Sequence, residues 1–170
     1  MPLQRTESEF INSHDYGAWY FWIDGLGYHA SGYSTEGDII RALIAEPWYQ
    51  HSYISPRGET PDPDAHAIHG PYRLDAMSED SFVPCTRVDA LARLNRWLDE
   101  NDSTPQMVHD FQLVIDRLLP AGHKIYELSG LGESAQHESG FIAGGATGFI
   151  EFLAISADMA RVNVLVASDD

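Results

Sequence analysis

Two amphipathic helices in tandem constrain this chain more than any other feature. Thr86-Arg87-Val88-Asp89 has the form of a capping box, and Val88, Leu91, Leu94, Trp97 and Leu98 recur at helical spacing as far as Asn101. Ser103-Thr104-Pro105 then supplies a cap followed by a proline at a first helical position. Met107, Phe111, Val114, Ile115 and Leu118 form the next apolar face, which Pro120-Ala121-Gly122 ends. A linker this short predicts antiparallel neighbours. One helix pair has two apolar stripes to cover, and the chain on either side reads as strand.

On the N-terminal side, after a polar lead-in, Ala18-Trp19-Tyr20-Phe21-Trp22-Ile23 is a dense aromatic run. It meets Asp24-Gly25, a turn signal, and the pattern resumes from Leu26 to Tyr33, so the spacing predicts a β-hairpin centred on Asp24-Gly25. Ile39, Ile40, Leu43 and Ile44 predict a short helix over 38–46, capped by Ser34 or Thr35 and stopped by Pro47. On the C-terminal side, Ile125–Leu128 is a short strand candidate. Phe149–Ile155 and Val162–Val166 form a hairpin around Ser156–Ala160, and the first of these two runs is apolar enough to be buried on both faces. These readings define one α+β domain over residues 1–170. Its antiparallel sheet is built from N-terminal and C-terminal hairpins and packs against a central antiparallel helix pair.

Between the first helix and the helix pair the regularity stops. Ser55-Pro56-Arg57-Gly58, Thr60-Pro61-Asp62-Pro63-Asp64 and Gly70-Pro71 are successive breakers, so the stretch 48–84 reads as a long irregular surface loop. Loops of that length in a compact domain tend to carry function.

The charge is the unusual part of the composition. Twenty-six acids face ten bases for a net charge of −16, and Lys124 is the one lysine. Residues 36–85 are the most acidic segment, with nine acids against three bases, or −6. Such a surface repels nucleic acid and anionic membranes and attracts a basic protein. No apolar run is long enough to cross a bilayer, and the N-terminus lacks the pattern of a signal peptide, which makes the cytoplasm the expected compartment. A single cysteine, Cys85, excludes an internal disulfide.

Catalytic signatures are weak throughout. Gly130-Leu131-Gly132-Glu133-Ser134-Ala135 has the spacing of a dinucleotide loop, but Glu133 opposes a phosphate and Gln136–Gly140 breaks any following helix. Asp62, Asp64, His66 and His69 have ligand chemistry, yet prolines flank Asp62 and a solvated acidic loop accounts for them without a metal. Cys85 precedes a helix cap, where a thiol pKa could fall, although a structural thiol is the plainer reading. The run Trp19–Trp22 lacks the bases that a nucleotide platform needs and suits core or a partner anchor. The expectation is a non-enzyme with no cofactor and no metal.

A small, acidic, motif-free α+β chain with an acidic loop and a terminal strand Val164-Leu165-Val166-Ala167-Ser168-Asp169-Asp170 resembles the immunity proteins of bacterial polymorphic toxin systems, contact-dependent or type VI. The resemblance implies an inhibitor that neutralises a cognate toxin domain, commonly by plugging its active site, and it carries over no residue roles. The expected contact surface holds Glu59, Asp62, Asp64, Asp75, Glu79 and Asp80, with Trp48, Tyr49 and Tyr53 as anchors. Two other classes use the same features: a nucleic-acid mimic that blocks a DNA- or RNA-binding enzyme, and a small enzyme built on Cys85 or on His66 and His69.

Overall fold

The computed structural model describes residues 2–17, 20–129, 131–138 and 148–169. In chain order they form β1 (Gln4–Asn12), β2 (Phe21–His29), α1 (Glu36–Ile44), β3 (Ile68–His69), β4 (Tyr72–Arg73), β5 (Phe82–Cys85), α2 (Arg87–Glu100), α3 (Pro105–Leu118), β6 (Lys124–Leu128), β7 (Ile150–Ile155) and β8 (Arg161–Asp169). Six strands make one antiparallel sheet in the order β1-β2-β8-β7-β6-β5. The N-terminal hairpin thus lies directly beside the C-terminal one, with Phe21 opposite Asp169 and His29 opposite Arg161. None of the described helices is long and apolar enough to cross a membrane.

Alternation along the central strands splits the core in two. Phe21 and Ile23 of β2, Phe152 and Ala154 of β7, and Leu165 and Ala167 of β8 face α2 and α3, meeting Leu94, Trp97, Phe111 and Ile115. Trp22, Leu26 and Tyr28, with Leu153, Ile155, Val162, Val164 and Val166, face the other way, onto α1 and the stretch from Tyr49 to Phe82. Both faces of the sheet are covered, which is why every residue of β7 is buried.

The helix pair forms as its sequence dictates. Thr86 Oγ1 accepts from the Asp89 amide, Thr104 caps α3 ahead of Pro105, and the buried positions of α3 are Met107, Phe111, Val114, Ile115 and Leu118. Val88 departs from the expected face: it is 75% exposed, one turn before the stripe meets the sheet. In α1 the capping box is Thr35 with Asp38, which starts the helix at Glu36.

The predicted hairpin at Asp24-Gly25 is not there. β2 runs straight through both residues and pairs instead with β1, the polar segment that reads as a lead-in. Asp24 stays in the strand because its carboxylate has a buried partner. Gly25 stays because Leu118 of α3 fills the space where a side chain would stand, 2.5 Å from an added Cβ. Gly25→Ala therefore costs about 1–3 kcal/mol by overpacking. Gly58→Ala, with open space around it, stays within about 0.5 kcal/mol, both read by chemical denaturation.

Candidate functional site

The stretch 48–84 is as irregular as expected, and residues 54–64 are exposed or half-buried, but much of the rest is not at the surface. Tyr49, Tyr53, Ala65, His69, Gly70, Pro71 and Met77 are buried, and the segment lies on the sheet as its second cover. What fixes a segment so poor in regular structure is a set of buried polar contacts with two sheet carboxylates, Asp24 of β2 and Glu151 of β7.

Arg57 serves Asp24. Its Nε donates to Asp24 Oδ1 at 2.7 Å, Nη1 donates to the Trp48 carbonyl and Nη2 donates to the Tyr53 hydroxyl at 2.7 Å. The two charged side chains are only 7% and 5% exposed. Burial pushes the Asp24 carboxyl above its ordinary value against the opposing pull of Arg57. Burial also works against the Arg57 charge, but Tyr53 and Asp24 outweigh it and raise its pKa. A guanidinium does not deprotonate in proteins, so the contact is an ion pair.

His69 and Tyr49 serve Glu151. Tyr49 Oη donates to Oε1 at 2.7 Å, and His69 Nε2 lies 2.6 Å from Oε2. His69 Nδ1 is 2.6 Å from the Tyr49 carbonyl, which can only accept, so Nδ1 carries a hydrogen and donates to it. The rings of Tyr49 and His69 stack at 3.7 Å, and Phe149 closes the far side edge-on. Gly70 follows with φ +52, its missing Cβ leaving room for the Phe149 ring that would otherwise stand 2.4 Å away.

Two smaller devices set the backbone between these anchors. His51 Nδ1 accepts from the Tyr53 amide at 2.8 Å, which helps hold Tyr53 at φ +60, a conformation that bulky residues rarely adopt. Asp62 Oδ2 accepts from both the amide and the hydroxyl of Ser52, and its Oδ1 accepts from the Asp64 amide. Burial alone would raise the Asp62 carboxyl, but the Ser52 and Asp64 donors hold it below the usual range.

These positions sort the expected contact residues. Tyr49 and Tyr53, expected as partner anchors, are 0% and 4% exposed and belong to the core, because their hydroxyls satisfy Glu151 and Arg57. Trp48 is half-buried with the Arg5 guanidinium over its ring. Asp62 is structural, Glu79 pairs with Arg41, and Asp75 pairs with Arg73 at 3.0 Å. Glu59, Asp64 and Asp80 are exposed and make no salt bridge among the described residues.

Among the described residues no group of three metal-ligating side chains converges, and both nitrogens of His69 are engaged inside the fold. The Cys85 thiol is pushed up to about 11 by burial and by Glu127 and Asp89, the reverse of activation at a helix N-terminus. Gly130 and the stretch 139–147 lie outside the described residues, as does Trp19. Residues 133–135 form one 3₁₀ turn, with no α-helix among residues 131–138 to receive a pyrophosphate. Of the aromatic run, Phe21 and Trp22 are core on opposite faces.

Comparison with family models, with curated proteins and with solved structures finds no match for this chain.

The buried groups make the cover sensitive to mutation and to acid. Glu151→Leu leaves His69 buried without its partner and costs about 3–5 kcal/mol in denaturant unfolding. Burial, with Arg57 adding to it, lowers His51 from its ordinary 6.5 to about 4. The unfolded chain therefore binds a proton at His51 below about 6.5 that the folded chain refuses until about 4. The His51 contribution is complete above that window and is lost as pH falls through it, on the order of 3 kcal/mol. His51→Asn keeps an acceptor for the Tyr53 amide without titrating, so its stability declines less steeply over the same range.

Proposed function

We propose that this chain is an acidic inhibitor of the immunity type, which binds a basic cognate toxin domain and occludes its active site. The observation that carries the reading is how the acidic segment is held. Residues 48–84 contain two bases, and only Arg73 stands at the outer surface, where it pairs with the exposed Asp75. Arg57 is spent on Asp24 inside the fold, and Arg73 is spent on Asp75 and on the carbonyls of Ser134 and Gln136. Glu59, Asp64 and Asp80 are exposed acids without a salt bridge among the described residues, carried by a segment that Arg57, Tyr49 and His69 anchor to the sheet on a chain of net charge −16. A rigid surface of one sign steers a basic partner and loses little entropy when it docks. The nucleic-acid mimic fits less well, since the α2 and α3 surfaces interleave Arg87, Arg93, Arg96 and Arg117 with their acids.

The test asks whether a neighbouring gene encodes a basic toxin domain and whether that domain co-purifies with this chain. The complex should form at low ionic strength and weaken about tenfold or more between about 0.1 and 0.5 M salt. Reversing Glu59 and Asp64 together to Lys should slow association by about tenfold without lowering thermal stability. Absent binding, or binding indifferent to salt, contradicts the reading.

A further inference from the structure

The sheet ends in two unlike edges. β5, the outer strand on one side, has four residues, and Pro84 among them has no amide hydrogen, so that edge is blunted. β1, the outer strand on the other side, runs for nine residues without a proline, and its ladder with β2 shifts register between Arg5 and Glu7. No backbone hydrogen bond joins β1 to a described segment other than β2.

The ladder fixes which groups of β1 face outward. One step beyond the His29–Arg161 pair, the Ala30 amide donates to the Ala160 carbonyl at 2.9 Å. Alternation therefore turns the even-numbered residues of β2 towards β8 and the odd-numbered ones towards β1. Gly27, Gly25 and Ile23 oppose Glu7, Glu9 and Ile11, which bond inward, and Ser8, Phe10 and Asn12 turn their amides and carbonyls to solvent. Beside them, on the cover side, is an open groove of about 190 Å³ lined by Ser8, Glu9, Phe10, Pro56 and Gly58 next to the Asp24–Arg57 pair. Every second side chain of a strand laid along β1 would lean over that side of the sheet.

Along this edge the cations are occupied and acids stand bare. Arg5 lies over the Trp48 ring and Arg117 pairs with Glu9. Glu7, Asp15 and, next to Gly58, Glu59 are exposed and make no salt bridge among the described residues. Arg161 lies two strands inward, on β8. With a net charge of −16, the edge repels a second copy of the chain and attracts a basic strand.

We propose that β1 is the docking edge for an extended basic segment of the partner, which joins the six-stranded sheet as a seventh strand. Its backbone bonds to Ser8, Phe10 and Asn12, and an apolar side chain enters the groove beside Phe10. The proposal rests on the inhibitor reading above and names where the partner attaches.

The experiment uses the full chain with three heptapeptides: one alternating lysine and valine, one alternating glutamate and valine, and the lysine–valine peptide with every backbone amide methylated. Hydrogen exchange by NMR locates binding, and titration gives affinity. The lysine–valine peptide should slow the Ser8, Phe10 and Asn12 amides by at least about tenfold and leave those of α2 and α3 unmoved. The methylated peptide keeps its charge but loses its donors, and both it and the glutamate peptide should bind at least about tenfold more weakly. Ser8→Pro removes an outward donor without touching the β2 ladder, so it should weaken the lysine–valine peptide by about tenfold at unchanged thermal stability. If that variant unfolds, the methylated peptide still decides, since it alters nothing in the protein. Absent binding, binding that leaves the three amides fast, or equal affinity for the methylated peptide overturns the edge. A chain that dimerises with these amides already slow overturns it too. A toxin domain that co-purifies equally with Ser8→Pro leaves the inhibitor reading without the edge. Slowed β1 amides with no complex to a toxin domain leave the edge and remove the inhibitor reading.

Discussion

Two buried carboxylates on one face of the sheet decide how about a fifth of this protein, residues 48–84, is arranged. Asp24 and Glu151 stand on neighbouring parts of the central strands, where burial would be costly for either charge alone. Each is matched by a group from the segment that covers that face: Arg57 for Asp24, His69 and Tyr49 for Glu151. The requirement runs in both directions. The sheet needs the segment to satisfy its carboxylates, and the segment, with only two-residue strands and short 3₁₀ turns of its own, needs the carboxylates to have a defined shape.

This division of labour explains the asymmetry of the two faces. Against α2 and α3 the sheet shows almost only apolar side chains, and regular helices with caps and stripes pack there by area alone. Against the 48–84 cover it adds aromatics and two charges to its aliphatic side chains, and position is set there by directional contacts such as the stack of Tyr49 on His69 and the fork of Arg57. Directional contacts hold one geometry and tolerate little slippage.

The helices were legible in the sequence because their burial repeats every three to four residues and their caps are local. Thr104, Pro105 and the five buried positions of α3 can all be read within one stretch. The C-terminal hairpin was legible because two largely apolar runs flank a short turn at 156–160. β1 was not, since an edge strand with mostly exposed side chains has no apolar alternation to detect. Asp24-Gly25 has the composition of a turn, and only a partner 33 residues away, with Leu118 of α3 packed over the glycine, makes it strand interior. His69 drew notice as a possible ligand, but its partner Glu151 is 82 residues distant and hidden in an apolar run. Pairings at such separation leave no trace in local spacing, so the prolines and glycines of 48–84 read as a free loop.

Hydrogen exchange tests most directly whether the cover is part of the folded unit. The amides of Tyr53, Gly70 and Leu74 donate within the cover, to His51 Nδ1, the His51 carbonyl and the Ala67 carbonyl. If the buried pairs hold the segment to the sheet, these amides exchange on the slow timescale of β7 and β8, and Glu151→Leu speeds all three together while the α3 amides keep most of their protection. Fast exchange of the three in the unaltered protein, as in an untethered loop, would contradict the account.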